Sequence, residues 1–183
     1  KALRAYGILD TEPEQAFDDI VALLAEVFDA PIALVNLIDA DRAWFKASVG
    51  TSGMTGSSRE VSFCAHSIAS GQDQLVVPDA LADARFADNP LVTGEPHLRF
   101  YAGHVLRTPK GHALGALCVH DVVPRPQGIT PLQSRTLEVL AGQVMAQFEL
   151  RRAVRAREEG VRALAESEAR FRAIADSMPQ MVW

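Results

Sequence analysis

Two cysteines each have a histidine two residues away, a spacing that suggests a reactive thiol with a neighbouring base. Cys64 and His66 are two residues apart in a segment with helical spacing, and residues two apart on a helix point about 200° away from each other. Cys118 and His120 are also two apart, but on a predicted strand, where alternate residues share a face. A thiol in a central strand is shielded and inert. The residues therefore favour structural thiols, with either Cys64 or His66, not both, facing a pocket.

The five histidines form no metal-binding pattern. A metal site needs three or four convergent ligands, and the spacing of positions 66, 97, 104, 112 and 120 contains no HxxxH or comparable motif. No glycine-rich phosphate loop occurs either. His104 falls in the middle of a predicted strand, where the alternatives are a pocket residue, a haem ligand and, preferred, a histidine hydrogen-bonded within the core.

Hydrophobic spacing predicts the first elements that position these side chains. A helix is predicted from about residue 14 to 28, and the nearly continuous apolar run 32–38 predicts a strand covered on both faces. The run 42–49 predicts its hairpin partner with one buried face. On that strand, Ala43, Phe45, Ala47 and Val49 alternate with Arg42, Trp44, Lys46 and Ser48.

The remaining elements complete an α+β pattern. The sequence predicts a loop at 50–61, a short helix at 62–70 capped by Ser62, a strand at 75–77, a long loop at 79–96, and strands at 98–106 and 114–120 joined by a turn. Hairpins with separate helices predict a central antiparallel sheet of about five or six strands flanked by helices.

A long C-terminal helix is predicted after Thr130-Pro131, because no proline recurs until Pro179. Such a helix would span about 70 Å, whereas the preceding residues would form a globule roughly 35 Å across. Half of the helix must therefore leave its own domain. That half carries an apolar heptad seam formed by Leu150, Val154, Val161, Leu164 and Phe171.

The seam predicts a parallel homodimer of the C-terminal helix. Arg157 and Glu168 occupy seam positions and Gly160 weakens the helix, so the seam is imperfect. Eleven of the 22 residues from Arg151 to Arg172 are charged with both signs mixed, which suits the outer faces of a two-helix coil. A single solvated helix remains the alternative.

The composition limits the class of protein. The chain has 183 residues, 48% of them hydrophobic, and a net charge of −5, so it suits a globular protein and argues against nucleic-acid binding. Two cysteines are too few for a disulfide framework and fit a reducing compartment. With no 18-residue apolar run and no signal peptide in the sequence, we expect a cytoplasmic location with no membrane span in this segment.

Several short motifs, in order along residues 3–150, resemble a bacterial GAF domain. They are residues 8–14 (ILDTEPE), 44–50 (WFKASVG), 62–68 (SFCAHSI), 75–80 (LVVPDA), 83–86 (DARF), 89–94 (NPLVTG), 99–103 (RFYAG) and 114–119 (LGALCV). The resemblance implies a three-layer fold, with the terminal helices on one face of the sheet and a ligand pocket under the short helix and loops on the other.

The resemblance implies a ligand pocket but identifies no cofactor. The candidate pocket residues are Trp44, Phe63, Cys64, His66, Tyr101 and His104. Tyr101 and His66 are the expected polar contacts for a small-molecule ligand, and Phe63 and Trp44 the expected walls; core packing without a ligand is the alternative. Phytochrome-like GAF domains attach a bilin through a cysteine next to a histidine, whereas an alanine separates Cys64 from His66 here, so a bilin is not expected.

The resemblance also implies a larger signalling protein. We expect a GAF domain at 1–150, a helical linker at 151–167 and the start of a PAS domain at 168–183, followed by an output domain. The preferred parent is a two-component sensor histidine kinase, with a diguanylate cyclase regulator as the alternative, and the chain itself contains no catalytic motif. Two other hypotheses are a thiol-dependent free-methionine sulfoxide reductase and a purely structural dimerisation domain.

Overall fold

The computed structural model describes residues 2–177, in which eleven elements follow one another. They are a 3-10 helix (Leu3–Tyr6), α1 (Gln15–Phe28), β1 (Ile32–Ile38), β2 (Arg42–Val49), β3 (Gly56–Ser58), α2 (Phe63–Ala69), β4 (Gln74–Val77), α3 (Pro90–Thr93), β5 (Phe100–Arg107), β6 (Ala113–Asp121) and α4 (Pro131–Ser177).

The strands form one six-stranded sheet in the order β3-β2-β1-β6-β5-β4. Each neighbouring pair is antiparallel. The predicted α+β fold with a central antiparallel sheet is therefore confirmed. Because strand side chains alternate between faces, the sheet separates two cores, which we call the helix-side core and the cavity-side core.

The helix-side core forms where α1 and the first half of α4 cover one face of the sheet. In α1, Phe17, Val21, Leu24 and Phe28 recur at intervals of three and four and are buried, as expected for one apolar stripe. The matching stripe of α4 consists of Leu137, Ala141, Val144 and Phe148. The cavity-side core lies under α2, α3 and the long loops, and includes Phe63, Phe86 and Tyr101.

Strand β2 is covered on both faces, so the prediction that Trp44 and Lys46 lie on an exposed face is wrong. Val35 pairs with Ala47 and Asn36 pairs with Phe45, which leaves Lys46 as the extra residue of a β-bulge. Trp44 belongs to the helix-side core, and Lys46 is 3% exposed. Alternation suggested a solvated face because Arg42, Lys46 and Ser48 are polar, but the Lys46 ammonium is satisfied by partners near α1.

The two segments predicted as loops contain short elements. Strand β3 lies within 50–61, and α3 lies within 79–96. The Asn89 side chain caps α3 by accepting a hydrogen bond from the Leu91 N–H at 2.9 Å. Three or four residues are too few to show a hydrophobic period, so the sequence pattern gave no signal for either element.

Helix α4 is continuous over 47 residues, or about 70 Å. Its first half packs on the sheet, whereas residues 152–176 are all exposed. The predicted long helix that leaves its own domain is confirmed. The predicted first strand of a PAS domain lies largely in 178–183, outside the described residues.

None of the helices within residues 2–177 is long and apolar enough to cross a membrane.

Candidate functional site

A cavity of about 280 Å³ lies on the face of the sheet opposite α1 and α4. Its floor is formed by β1, β2 and β6, and its walls by α2, the segment 50–57 and the segment 91–98. The lining residues are Ile32, Leu34, Asn36, Phe45, Gly50, Thr51, Ser52, Met54, Ser57, Ser62, Phe63, Cys64, Leu91, Glu95, Pro96, Leu98 and His120.

Strand alternation explains which side chains reach the cavity. Ile32, Leu34 and Asn36 are alternate residues of β1 and share one face. Phe45 reaches the same face from β2, and its neighbours Trp44 and Lys46 therefore point to the helix side. The floor of the cavity is thus formed by the apolar side chains of Ile32, Leu34 and Phe45 and by two polar ones, Asn36 and the β6 residue His120.

Three buried polar atoms lack a hydrogen-bond partner among the described residues and belong to residues that line the cavity. They are Asn36 Oδ1, Ser62 Oγ and His120 Nδ1. All three residues are at least 95% buried. Ser62 is the N-cap residue of α2, as predicted, but its side chain makes no capping hydrogen bond. A buried polar group without a partner costs roughly 1–3 kcal/mol, and a ligand that hydrogen-bonds these groups would recover it.

The cavity carries no buried charge within the described part of the chain. Burial lowers the pKa of His120 to about 4, so this imidazole is neutral at pH 7. Glu95 is the one residue with a formal charge among the lining residues, and its side chain is 91% exposed. Enclosing an ion without a countercharge is costly, so the chemistry of the lining favours an uncharged ligand.

Two thiols meet beneath the cavity. Cys64 Sγ in α2 lies 3.4 Å from Cys118 Sγ in β6, close enough for an S–H···S hydrogen bond. The Tyr101 hydroxyl donates to Cys64 Sγ at 3.6 Å, and Cys118 Sγ lies 3.7 Å from His120 Nε2. Cys118 is completely buried in its central strand, as the sequence indicates, but the short contact with Cys64 depends on how α2 crosses β6.

The two thiols differ in how readily they ionise. The hydrogen bond with Cys118 lowers the pKa of Cys64. Burial, together with the neighbouring Cys64, raises the pKa of Cys118 well above its usual value. Ionisation of this pair therefore begins at Cys64, which is also the cysteine among the lining residues of the cavity.

The structure brings together only part of the predicted pocket set. Phe63 and Cys64 line the cavity. Tyr101 lies below it with no exposed surface, its ring 5.5 Å from that of Phe63. His66 packs edge-on against Phe86 at 4.9 Å and is not among the lining residues.

Trp44 and His104 lie on the other side of the sheet. Trp44 is part of the helix-side core. His104 alternates with Ala102 and Leu106, which belong to the same core. Neither residue lines the cavity.

Sequence reasoning did not select Asn36, Ser62, Phe45 or His120 as pocket residues. Asn36 could have been found, because it is the one polar residue in the run 32–38, and a central strand covered on both faces rarely holds an amide without a purpose. No group of three or more residues that could hold a metal ion occurs within residues 2–177.

Comparisons with known proteins agree with the fold. A family model described as GAF domain matches residues 12–148. A cyclic di-GMP phosphodiesterase of Pseudomonas aeruginosa is 43% identical over 145 residues, which make up 78% of this chain and 24% of that protein. The chain therefore spans about a quarter of the length of this relative.

Two solved structures show the same fold at low identity. The GAF domain of an Acinetobacter phosphoenolpyruvate-protein phosphotransferase has a TM-score of 0.63 and 18% identity, covering 83% of this chain and 93% of that one. The free methionine-R-sulfoxide reductase of Neisseria meningitidis has a TM-score of 0.61 and 17% identity, covering 82% and 87%. Because the family model matches most of the length of this chain, the chain belongs to the GAF domain family.

Proposed function

We propose that this chain is the sensory module of a multidomain signal-transduction protein. Its cavity binds an uncharged small molecule, and α4 carries the resulting change to downstream domains. The observation that carries the proposal is α4 itself, which is buried against the sheet in its first half and exposed from residue 152 to 176. One unbroken helix thus belongs to both the sensor and the segment that follows it.

The proposed ligand is small, largely apolar and able to hydrogen-bond. The cavity volume of about 280 Å³ lies just below the usual range of small-molecule sites. Asn36 Oδ1, Ser62 Oγ and His120 Nδ1 would offer the ligand an acceptor, a hydroxyl and an imidazole nitrogen. A ligand carboxylate or phosphate would find no cationic side chain among the lining residues of the described chain.

A polar junction supports transmission from the cavity to α4. Phe45 lines the cavity, and the next residue, Lys46, donates to Glu14 Oε1 at 2.6 Å. The same Glu14 oxygen accepts a hydrogen bond from Arg151 of α4. A shift of β2 at its bulge would therefore move groups bonded directly to α4, as a two-state transmitter requires.

The proposed partner along α4 is a second copy of the chain. The apolar seam residues are between 47% and 75% exposed; they are Leu150, Val154, Val161, Leu164 and Phe171. The other residues of the exposed second half of α4 are densely charged. The seam is therefore the surface that α4 of a second copy would cover. A homodimer through these positions would bury them.

The proposed output is an enzyme elsewhere in the parent protein. The relative from P. aeruginosa is a cyclic di-GMP phosphodiesterase, which favours cyclic di-GMP turnover as the output over the histidine kinase expected from sequence. A PAS domain from 168 onwards, a histidine kinase and a cytoplasmic location remain predictions.

Two hypotheses from the sequence receive less support. Free methionine sulfoxide is a zwitterion, and the lining residues within the described chain hold no buried countercharge for it. The similarity to the solved free methionine-R-sulfoxide reductase is a similarity of fold and does not extend to activity. A purely structural domain would gain stability by filling the cavity or pairing its buried polar atoms, and the chain does neither.

Sedimentation equilibrium tests the helix dimer on which transmission depends. The chain should sediment at twice its mass of 19.8 kDa. Leu164→Asp, at the seam, should give a monomer, whereas Ala163→Asp, one position away on the outer face, should stay dimeric. A wild-type chain that stays monomeric at high concentration, or equal effects of the two substitutions, would contradict the proposal.

A further inference from the structure

We propose that Cys64 and Cys118 form a reversible oxidation site for small hydroperoxides, which closes to an intramolecular disulfide between α2 and β6. The two sulfurs lie 3.4 Å apart, and the sequence contains no other cysteine. This inference does not depend on the identity of the cavity ligand, because it rests on the thiols and on access through the cavity alone.

The cavity gives a small oxidant a route to one of the two thiols. Cys64 lines the cavity, whereas Cys118 does not. Three of the lining residues, Ser52, Met54 and Glu95, are exposed, so a small molecule has access to the cavity from their side. A hydroperoxide entering by this route meets Cys64 first, and Cys118 lies behind it as the resolving thiol.

The surroundings of Cys64 favour its ionised form. The Tyr101 hydroxyl donates to Cys64 Sγ at 3.6 Å, and burial raises the pKa of Tyr101 well above its usual value, so this hydroxyl remains a donor. The hydrogen bond with Cys118 lowers the pKa of Cys64. A thiolate held by two donors is the reactive form of cysteine.

Gly103 of β5 leaves the space that the Tyr101 hydroxyl occupies. A Cβ at position 103 would lie 2.2 Å from Tyr101 Oη and 3.1 Å from Cys118 Cβ. Any larger residue would displace the phenol or the cysteine. The absence of a side chain at Gly103 therefore allows the Tyr101 phenol to reach the two sulfurs.

The proposed reaction takes place in two balanced steps. The Cys64 thiolate attacks the terminal oxygen of ROOH, an S–O bond forms and the O–O bond breaks, and the leaving RO⁻ takes up the proton that the Cys64 thiol released, which gives ROH. The Cys118 sulfur then attacks the sulfur of the Cys64 sulfenic acid, forming the S–S bond as hydroxide leaves and takes up the Cys118 proton as water. In sum, two thiols are oxidised to a disulfide, and the peroxide is reduced to ROH and water.

The structural change needed for closure is small. The sulfurs must approach by about 1.4 Å to reach the disulfide length of roughly 2.05 Å. Such a bond would tie α2 to β6, and Phe63, the neighbour of Cys64, is a wall of the cavity. Oxidation would therefore change the cavity directly.

Hydrogen peroxide added to the full chain tests the proposal. The thiols titrated in denaturant should fall from two to none, the intact mass should drop by two hydrogens, and dithiothreitol should restore both. Cys118→Ser should stop at the sulfenic acid, which dimedone traps, and Cys64→Ser should keep its thiol. Two remaining thiols in the wild type, or a covalent dimer on a non-reducing gel, would overturn the proposal.

A cavity-blocking variant tests the route of the oxidant. Leu98 lines the cavity, and Leu98→Trp should slow wild-type thiol loss by roughly tenfold, because access governs thiolate oxidation. Leu23→Trp on the exposed face of α1 is the matched control and should leave the rate unchanged. Equal rates in the two variants would overturn access through the cavity.

Discussion

Lys46 Nζ lies 2.6 Å from Glu14 Oε1, and the Lys46 side chain is completely buried in this ion pair. The ammonium also donates to Thr11 Oγ1 at 2.9 Å and to the Glu12 carbonyl at 2.7 Å. The Glu14 carboxylate in turn accepts from Arg151. One junction therefore holds the bulge of β2, the start of α1 and the middle of α4 together on the helix side of the sheet, and Phe45, the residue before Lys46, lines the cavity on the other side.

Lys46→Met should destabilise the fold. It removes three hydrogen bonds of a buried ammonium and leaves the Glu12 carbonyl without its partner, so we expect the free energy of unfolding to fall by about 2–3 kcal/mol. Urea denaturation measures this loss. Arg42→Met is the control, because the Arg42–Asp10 pair has the same N–O distance of 2.6 Å but is solvent-exposed. Equal losses would contradict the role given to burial.

The pH dependence of stability should contain a contribution from His120. Burial lowers its pKa in the folded state to about 4 from the usual 6.5. Between these values the unfolded chain binds a proton that the folded chain does not, so stability falls as pH falls. The total effect is about 3 kcal/mol, lost progressively from pH 6.5 towards pH 4.

Denaturation at a series of pH values in His120→Leu checks this contribution. The variant should lose the slope between pH 6.5 and 4, whereas the exposed His112→Leu should keep it. Burial raises the pKa of Glu14, but hydrogen bonds and charges from Lys46 and Arg151 outweigh it and lower the pKa on balance. The stability that Glu14 contributes is therefore lost at a lower pH than the stability that His120 contributes, and the two effects can be separated. An unchanged slope in His120→Leu would count against a neutral buried imidazole.

Indole should bind the cavity, and indole-3-carboxylate should not. Indole is uncharged and offers one N–H donor to Asn36 Oδ1 or His120 Nδ1, while the carboxylate would be enclosed without a countercharge. Saturating indole should raise the melting temperature by about 2–4 °C for each kcal/mol of binding energy. A larger shift with the carboxylate would contradict the uncharged lining.

Asn36→Leu separates binding from folding. The substitution removes an unpartnered buried amide oxygen, so the ligand-free chain should gain about 1–2 kcal/mol of stability while its response to indole weakens. A destabilised variant with an unchanged indole response would show that the amide serves the fold rather than the ligand.

The two halves of α4 should respond differently to the loss of an aromatic side chain. Phe148 is fully buried, with its ring 5.3 Å from Phe17, so Phe148→Ala should cost about 3–5 kcal/mol of unfolding free energy. Phe171 is 75% exposed, and Phe171→Ala should leave monomer stability unchanged but weaken self-association. Urea denaturation and sedimentation equilibrium, run on both variants, distinguish the two effects.

The element order could be predicted because long segments show a clear hydrophobic pattern. The apolar run 32–38, the stripe of α1 and the proline-free stretch after Pro131 each gave the correct element. Strand β3 and helix α3 were too short to show a period. The bulge at Lys46 could not be predicted from alternation, because it reverses the face of each residue that follows it.

The cavity was harder to predict than the fold. Phe63 and Cys64 reach it from a helix that the sequence identifies. Trp44 and His104 do not, because their faces depend on strand register and on which layer covers each side of the sheet. The contact between Cys64 and Cys118 joins residues 54 positions apart, and sequence spacing does not determine such a distance.

Spin-label distances between two copies of α4 test most directly whether the cavity controls the helix. A label at Glu159→Cys, on the outer face of the proposed coil, is placed in a Cys64→Ser/Cys118→Ser background and measured by pulsed dipolar spectroscopy. Leu34→Phe then fills the cavity, with Leu23→Phe on the exposed face of α1 as control. We predict one interspin distance distribution that shifts with Leu34→Phe and not with Leu23→Phe. Superimposable distributions in all three proteins, or no interspin distance at all, would contradict transmission through α4.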